Sequence, residues 1–502
     1  MDFINNLALG FSVAFAVKNL FFCFVGVLGG TLVGVLPGVG PLATIAILLP
    51  VTFSMGPDSA LIMLAGIYYG AQYGGSTTAI LLNLPGEASS AVTTLDGYQM
   101  ARKGRAGPAL ATAALSSLFA GTIATLVIAL FAAPLTHVAM AFRPPSYFSM
   151  MVLGLIASVV LAHGSVLKAI AMVLLGLLLG IIGTDIYTGT TRLNMGMLEL
   201  ADGVDIVALA IGLFGIAEIL RNLETNEVRE VLNEKVKGLW LSRADFKRIF
   251  MPSVRGTAIG SALGILPGGG AMLSSFAAYI VEKKVSKNRA EFGHGAIEGV
   301  AAPEAANNAG SQTAFIPMLT LGLPSNAVMA LMIGAMIIQG IQPGPDIIVK
   351  QPGMFWGLIV SMWIGNFMLV LLNLPLIGLW VKFLSVPYSV LVVAVMAFSA
   401  VGIYSASGTL FSMYELGFFA LLGYLLMRLG CEPAPLTLGF ILGPMMEEQL
   451  RRSMLMSRGD PTVFLTEPIS LAFLVAAAIV LALLALPSIA RKREEAFIES
   501  EG

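Results

Sequence analysis

The chain has 502 residues, of which 57% are hydrophobic and 11% are charged, and its net charge at pH 7 is −1. A soluble domain carries about 25% charged residues, so this composition excludes a soluble globular protein, and long apolar runs must face lipid. The near-neutral charge also argues against a nucleic acid as partner. We predict an all-α polytopic membrane protein with roughly ten to twelve membrane segments, at about 20 residues per span plus loops.

Apolar segments follow one another in two groups, separated by a polar stretch at 221–250. The first group comprises 20–55, 59–85, 108–133, 148–162, 166–183 and 205–220. The second group comprises 251–281, 299–341, 353–380, 386–403, 415–427, 434–446 and 468–488. We therefore predict a first membrane repeat over 1–220, a polar cytoplasmic linker over 221–250, a second membrane repeat over 251–490 and a charged C-terminal tail over 491–502.

The two groups share short motifs in the same order, as a duplicated chain would. The matching pairs are 34–40 with 264–270, 75–79 with 310–314, 84–86 with 323–325, and Gly176 and Gly183 with Gly423 and Gly430. Chance recurrence in a chain rich in glycine and proline is the alternative. The preserved order favours duplication.

The basic loops of the two groups indicate inverted-topology repeats. Lys and Arg concentrate in cytoplasmic loops. The loop at 53–58 has neither residue and 102–105 has three, whereas 282–291 has four and 342–351 has only Lys350. Equivalent loops are therefore expected on opposite sides of the membrane. One feature disagrees. A single apolar segment separates a basic loop from the basic C-terminus, so both cannot be cytoplasmic; the basic residues of that loop are Arg451, Arg452 and Arg458.

Each group contains a Leu-Pro-Gly break inside an apolar segment, and we predict a re-entrant helical hairpin at each. The segment 251–281 has basic residues on both flanks, so it enters and leaves on one side, and 20–55 is its counterpart from the other face. A broken helix leaves free N–H groups and a dipole that favour an anion. Ordinary kinks are the alternative. The predicted substrate-binding residues at the breaks are Pro37, Gly38, Gly40, Pro267, Gly268 and Gly269.

Small polar side chains accompany a second pair of breaks, where they can bind a carboxylate or Na⁺. Close packing of small residues is the alternative. Further predicted substrate-binding residues are Ser76, Thr77, Ser311 and Gln312. The candidate Na⁺ ligands are Gly75, Thr78, Asn83, Glu304, Asn307, Asn308, Thr313, Ser325 and Asn326. A helix cap is the alternative role for Glu304, and Asp58 is expected at a helix start.

Nothing in the sequence favours an enzyme. Such a site needs a nucleophile–base pair or a metal constellation, and neither the histidines nor the cysteines have a suitable spacing; they are His137, His163, His294, Cys23 and Cys431. The chain also has no nucleotide-binding loop motif. We expect no catalytic residue and no cofactor beyond a coupling ion. An ion channel, or a proton-coupled carrier of another small organic anion, is the alternative to a Na⁺-coupled carboxylate transporter.

The chain resembles the large membrane subunit (TctA type) of tripartite tricarboxylate transporters. The segments that carry the resemblance are 34–41, 69–77, 83–87, 96–100 and 302–309. The resemblance covers nearly the whole chain. It implies a small membrane subunit and a periplasmic solute-binding protein as partners, a carboxylate such as citrate as substrate, an ion gradient as driving force, and the bacterial inner membrane as location. It also implies an elevator-type motion of paired hairpins, and it is compatible with a homodimer.

Overall fold

The computed structural model describes residues 2–36, 40–139, 141–162, 165–185, 187–224, 238–266, 270–344, 346–384 and 388–485. The first half contains α1 (Asp2–Ala14), α2 (Val17–Gly34), α3 (Pro41–Leu48), α4 (Pro57–Leu82), α5 (Ala91–Met100), α6 (Ala106–Ala139), α7 (Pro144–Leu161), α8 (Val166–Gly180), β1 (Gly183–Thr184), β2 (Thr191–Arg192), α9 (Ile206–Ala210) and α10 (Ala217–Glu224). β1 and β2 pair antiparallel, Gly183 with Arg192.

The second half, as far as it is described, is helical throughout. It contains α11 (Arg243–Gly264), α12 (Gly270–Val285), α13 (Glu298–Thr313), α14 (Phe315–Leu321), α15 (Ala327–Ile338), α16 (Ile347–Lys350), α17 (Pro352–Asn373), α18 (Ile377–Leu384), α19 (Tyr388–Ser407), α20 (Phe411–Arg428), α21 (Ala434–Met456), α22 (Val463–Thr466) and α23 (Pro468–Ala485). Short 3-10 segments are Leu49–Ser54, Ala88–Ser90, Glu199–Asp202 and Arg289–Glu291, and short π-helical segments are Ala101–Arg105 and Ile211–Ile216.

The predicted all-α membrane class is confirmed. Within the described residues, four helical stretches are long and apolar enough to cross a bilayer: Val17–Gly34, Ala88–Phe131, Ile206–Glu224 and Pro352–Asn373. Shorter apolar helices include Pro144–Val160, Val166–Gly180, Ala327–Ile338 and Pro468–Ala482. The exact number of crossings stays a prediction, because several of these helices are shorter than the roughly 20 residues of a full span.

Several predicted features lie outside the described residues. They are Pro37, Gly38, Pro267, Gly268, Gly269, His163, positions 225–237 of the linker and the tail 491–502. The described ends of the predicted linker are helical, because α10 extends to Glu224 and α11 begins at Arg243. The Ser242 hydroxyl accepts a hydrogen bond from the main-chain N–H of Asp245 and caps α11.

Helices α2 and α4 pack with their backbones in contact. Three glycines one turn apart on α2 allow this approach: Gly26, Gly30 and Gly34. A Cβ on any of them would overlap main-chain atoms of α4, at Met63, Ile67 and Ala71 in that order. Because the residue numbers of the contacting pairs increase together along both helices, α2 and α4 run parallel. α3 begins at Pro41, after the end of α2.

Helices α11 and α13 repeat this packing in the second half. The glycines of α11 have the same spacing, and they are Gly256, Gly260 and Gly264. Their main-chain neighbours on α13 are Ala302, Ala306 and Gly310. By this packing the counterpart of Gly310 is Ala71 and not Gly75, which lies four residues later. Residues four apart lie on nearly the same face of a helix. The alignment of the sequence motifs is therefore shifted by one helical turn from the alignment that the packing gives.

The remaining helices exchange partners between the halves. α8 packs on α21, where a Cβ on Gly176 would overlap the main chain at Leu436. Conversely, α20 packs on Ile211–Ile216, where a Cβ on Gly423 would meet the main chain of Leu213 at 2.9 Å. The matched glycines thus make the same kind of contact, each with the other half. α7 lies against α8, α21 and α23.

Polar contacts gather the basic loops of both halves on one face. The Lys103 ammonium donates to the main-chain carbonyl of His294 at 2.5 Å, and Arg105 pairs with Asp245 at 2.7 Å. Next to the two loops that are poor in basic residues, 53–58 and 342–351, the Gln339 amide donates to the carbonyl of Thr52 at 2.8 Å. This grouping agrees with the predicted loop arrangement, while the inversion relative to the membrane stays a prediction.

The predicted basic loop that disagreed with the topology is partly helical, because Arg451 and Arg452 lie in α21. These arginines lie beside acidic residues. Arg451 pairs with Asp185 at 3.0 Å and with Glu447 at 2.7 Å, and Arg192 also pairs with both. The main-chain N–H of Tyr187, together with the two guanidinium groups, holds the pKa of Asp185 well below its usual range. If α6, α7 and α8 each cross the membrane once, this cluster lies on the face opposite Lys103, and a crossing by α23 ends on the face of Lys103.

Candidate functional site

Helix α13 is buried along its whole length although one face is polar. Its buried polar residues are Glu304, Asn307, Asn308, Ser311, Gln312 and Thr313. Glu304 is the seventh residue of the helix and is 0% exposed, so its position excludes the helix-cap alternative. Asp58, by contrast, lies in the first turn of α4, as predicted.

The Glu304 carboxylate accepts hydrogen bonds from hydroxyl groups of three other helices. Ser76 of α4 donates to Oε2 at 2.7 Å, and Thr93 of α5 donates to Oε1 at 2.5 Å. Ser117 of α6 lies 3.5 Å from Oε2. Hydrogen bonds to a charged group stabilise it by about 1.5–3 kcal/mol each. Hydroxyl donors can hold a carboxylate but do not neutralise it.

The two asparagines of α13 extend the network in two directions. Asn308 donates to the Ser117 hydroxyl at 2.7 Å and to the carbonyl of Glu304 at 3.0 Å. Asn307 donates to Glu87 Oε1 at 3.5 Å. The Asn307 amide oxygen is buried and has no hydrogen-bond partner in the described structure. A buried polar atom of this kind is costly and is available to a ligand.

Glu87 brings a second carboxylate to the same region. The Ser89 hydroxyl donates to Glu87 and lies 2.9 Å from Gln72 Oε1. Gln72 in turn lies beside the Tyr68 hydroxyl, together with Ser311 and Asn326. We call this set the polar cluster, and its members are Tyr68, Gln72, Ser76, Glu87, Ser89, Thr93, Ser117, Glu304, Asn307, Asn308, Ser311 and Asn326.

The described residues that flank the two predicted hairpin breaks adjoin the polar cluster. A Cβ on Gly86, the residue before Glu87, would overlap main-chain atoms of Gly34 at the end of α2. A Cβ on Gly270, which begins α12, would lie 3.7 Å from Asn326 Nδ2. The start of α12 therefore lies close to the polar side chains of the cluster.

The predicted substrate-binding residues separate into two sets. Ser76 and Ser311 belong to the polar cluster. Gln312 instead accepts a hydrogen bond from Thr125 of α6 at 2.6 Å, and its amide nitrogen has no partner among the described residues. Thr77 donates to the carbonyl of Tyr73 at 3.4 Å. Gly40 caps α3 with extended backbone and has open space around its Cβ position.

The candidate Na⁺ ligands also divide. Glu304, Asn307, Asn308 and Asn326 gather in the polar cluster. The hydroxyls of three others bond to nearby main-chain carbonyls, Thr78 to Gly75, Thr313 to Ala309 and Ser325 to Ala314. Asn83 is exposed and ends α4 in the left-handed conformation. Asn326 also caps α15 by accepting from the N–H of Met329 at 2.9 Å.

Sequence reasoning missed several members of the cluster. Thr93 and Ser117 lie in α5 and α6 outside every repeated motif. Glu87 stood directly after a matched motif, and its position between the break and a helix start was a usable signal. The contacts of Ser89 with Glu87 and with Gln72 depend on the fold of 83–90 against α4, which no sequence pattern describes.

Comparison with known proteins agrees with the sequence resemblance. The Tripartite tricarboxylate transporter TctA family matches residues 20–438. The chain is 60% identical over 501 residues to an uncharacterized 52.8 kDa protein of Agrobacterium vitis, in the TAR-I ttuC′ 3′ region, and this match covers 100% of both chains. No solved structure matches the chain.

Two further relatives match about half of the chain. An uncharacterized protein in the TAR-II ttuC′ 3′ region of Agrobacterium vitis is 59% identical over 242 residues, which are 48% of this chain and 100% of that protein. Protein MJ1079 of Methanocaldococcus jannaschii is 23% identical over 252 residues, which are 48% of this chain and 60% of that protein. The matched family is a transporter component and not an enzyme family. The chain belongs to the tripartite tricarboxylate transporter TctA family, as the large membrane subunit of such a system.

Proposed function

We propose that this chain is the permease through which small carboxylates of the citrate type enter the cell across the bacterial inner membrane, driven by a cation gradient with Na⁺ as the coupling ion. A small membrane subunit and a periplasmic solute-binding protein work with it. The observation that carries the proposal is the polar cluster, which contains two carboxylates. Glu304 is buried and Glu87 is half-buried. The cluster lies beside the described residues that flank the two predicted hairpin breaks.

The charge of the cluster supports cation coupling. Neither Glu87 nor Glu304 forms an ion pair with a basic residue in the described part of the chain. An anionic substrate that approached two carboxylates in a low-dielectric site would be repelled. Binding of cations or protons to these carboxylates removes that repulsion, so substrate and cation would bind together.

Helix starts, hydroxyls and amides supply the remaining attraction for the substrate. The N-terminus of α12 and the amide groups of Asn307 and Asn326 lie at the cluster. A helix N-terminus contributes about 0.3–2 kcal/mol toward an anion, and each charge-assisted hydrogen bond about 1.5–3 kcal/mol. Several such groups must act together, because the cost of removing a carboxylate from water is several kcal/mol.

The packing of the helices supports alternating access by an elevator-type motion. The helices that carry the cluster, α2–α6 and α11–α15, pack closely on one another. α7, α8, α21 and α23 pack mainly on one another, and α21 also packs on α15. We propose that the first group moves as the transport body and that the second group remains fixed in the membrane.

Uptake of labelled carboxylates into proteoliposomes tests this function. The full chain is reconstituted with the small subunit, with and without the binding protein, under imposed Na⁺ or proton gradients. We expect saturable uptake that needs the binding protein and a cation gradient. Non-saturating flux that ignores the gradient would indicate the channel alternative, and full uptake by the chain alone would contradict the tripartite assembly.

A further inference from the structure

A small cavity lies directly beside the Glu304 carboxylate. Its volume is about 20 Å³, enough for about one water molecule or one dehydrated monovalent cation. It lies among α4, α6, α13 and the junction of α17 with α18. The side chains that bring oxygen atoms to its lining are Tyr73, Ser76, Thr77, Ser117, Glu304 and Asn373, and the other lining residues are apolar.

Asn373 provides an independent sign that a ligand belongs here. This last residue of α17 is 5% exposed and lines the cavity. Its amide nitrogen donates to the carbonyl of Leu369 at 2.9 Å. Its amide oxygen is buried and has no hydrogen-bond partner among the described residues. Buried polar atoms are almost always paired, so this oxygen requires a partner that the described residues do not supply.

We propose that this cavity is a Na⁺ site, with the Glu304 carboxylate, the hydroxyls of Ser76 and Ser117 and the amide oxygen of Asn373 as ligands. Carboxylate, hydroxyl and amide oxygens are the donors that hard cations prefer. A hydroxyl has one hydrogen and two lone pairs, so Ser76 can donate to Glu304 and still coordinate a cation. One Na⁺ balances the single negative charge of Glu304.

Hydrogen bonds connect the cavity to the part of the polar cluster around Glu87, where we place the substrate. Asn308 joins Ser117 to the main chain of Glu304, and the neighbouring Asn307 reaches Glu87. An ion in the cavity therefore contacts Ser117, which is bonded to Asn308. The adjacent residue of α13, Asn307, is bonded to Glu87. The inference rests on the proposed cation-coupled uptake and assigns the coupling site to residues of four helices.

Thermal unfolding of the purified full-length chain tests the site without a transport assay. The melting temperature is measured while NaCl replaces choline chloride at constant ionic strength, with KCl as the comparison and at several pH values. We expect a saturable rise with Na⁺ and little with K⁺. Glu304→Gln and Asn373→Leu should abolish the rise, and Ser117→Ala should raise the half-saturating Na⁺ concentration about tenfold.

Ser116→Ala is the matched control. Ser116 is the chain neighbour of Ser117 and both are 1% exposed, but Ser116 bonds to Ser253 of α11 at 2.9 Å and does not line the cavity. This variant should keep the wild-type Na⁺ response even if it melts at a lower temperature. If Glu304→Gln does not fold, Ser117→Ala against Ser116→Ala still decides the matter.

The outcomes separate the site from the proposed function. An unchanged Na⁺ response in Ser117→Ala and Asn373→Leu overturns the site, as does a wild-type melting temperature that depends on pH and not on Na⁺. Carboxylate uptake in proteoliposomes can still stand in both cases, with Na⁺ bound at another place in the first and with protons as the coupling ion in the second. A Na⁺ response that the variants abolish, in a chain that moves no carboxylate, supports the site and contradicts the proposed function.

Discussion

Asp96 shows how one side chain joins the two halves of the protein. It lies on α5 and is 0% exposed. Its Oδ1 atom accepts hydrogen bonds at 2.8 Å from the main-chain N–H groups of Gly293, Gly295 and Ala296. Its Oδ2 atom accepts one from the Tyr279 hydroxyl at 2.9 Å. The carboxylate therefore fixes the loop that precedes α13, and with it the start of the helix that carries Glu304.

Asp96→Asn should destabilise the protein by about 1.5–3 kcal/mol, the size of a hydrogen bond to a charged group. The amide removes the negative charge and replaces one acceptor oxygen with an N–H₂ group that faces donors. Tyr279→Phe removes only one of the four bonds and should cost less. The melting temperatures of the purified variants measure the difference. Equal melting temperatures for Asp96→Asn and wild type would show that the loop does not depend on this carboxylate.

The candidate site could be predicted from the sequence only where its residues stand in motifs. Glu304 and the two asparagines after it were identified because polar residues are unusual inside an apolar segment. Thr93 and Ser117 were not identified, because each stands outside the repeated motifs although its hydroxyl contacts Glu304. A hydroxyl in an apolar helix can equally bond to its own main chain, as Thr122 and Thr125 do.

Helix ends are the features that the repeated motifs predicted best. The Leu-Pro motifs at 84–85 and 323–324 follow helices that end in the left-handed conformation, at Asn83 with φ 60° and Gly322 with φ 69°. The predicted breaks at both places are present. The apolar run 299–341 was predicted with one break, at 323–325, and the structure has a second division in it, between α13 and α14. Hydrophobicity alone does not mark a break whose flanks are both buried.

Gly30→Ala should destabilise the packing of α2 on α4 far more than Gly29→Ala. A Cβ on Gly30 would overlap the main-chain carbonyl of Ile67, whereas one on Gly29 would lie 3.5 Å from the Leu48 side chain, an ordinary contact. Overpacking of this kind costs about 1–3 kcal/mol. Melting temperatures of the two variants in detergent provide the comparison, since both changes add one methyl group at neighbouring positions. Similar melting temperatures would contradict the close approach of α2 and α4.

The exchange of helices between the halves could not be predicted from the sequence. The Lys168 ammonium donates to the carbonyl of Leu429, which lies 261 positions later in the chain, and α8 packs on α21. The matched glycines Gly176 and Gly423 identified equivalent helices but gave no information about their partners. Small residues on a membrane helix indicate a close neighbour, and only the folded structure shows which helix it is.

The arrangement of the loops predicts on which side of the membrane each loop lies. Lys103 and Lys284 belong to the basic loops of the two halves, which lie on one face, and basic loops are retained in the cytoplasm. Three crossings by α6, α7 and α8 would place Asp185 on the other face, and Arg451 pairs with Asp185. Arg458 lies two residues beyond the end of α21 at Met456. Acidic partners for Arg451 and Arg452 would make this basic region compatible with the outer face.

Single cysteines at four exposed positions test this sidedness. The variants are Lys103→Cys, Lys284→Cys, Ser54→Cys and Arg458→Cys. Each also carries Cys431→Ser, because Cys431 is half-buried and could react, whereas Cys23 is buried and is left in place. In intact cells a membrane-impermeant maleimide should label the Ser54 and Arg458 positions at once, and should label the two lysine positions only after the membrane is opened. Labelling of positions 103 and 284 from opposite faces would contradict the inverted repeat. Labelling of position 458 only after opening would instead show that one of α6, α7 and α8 does not cross the membrane.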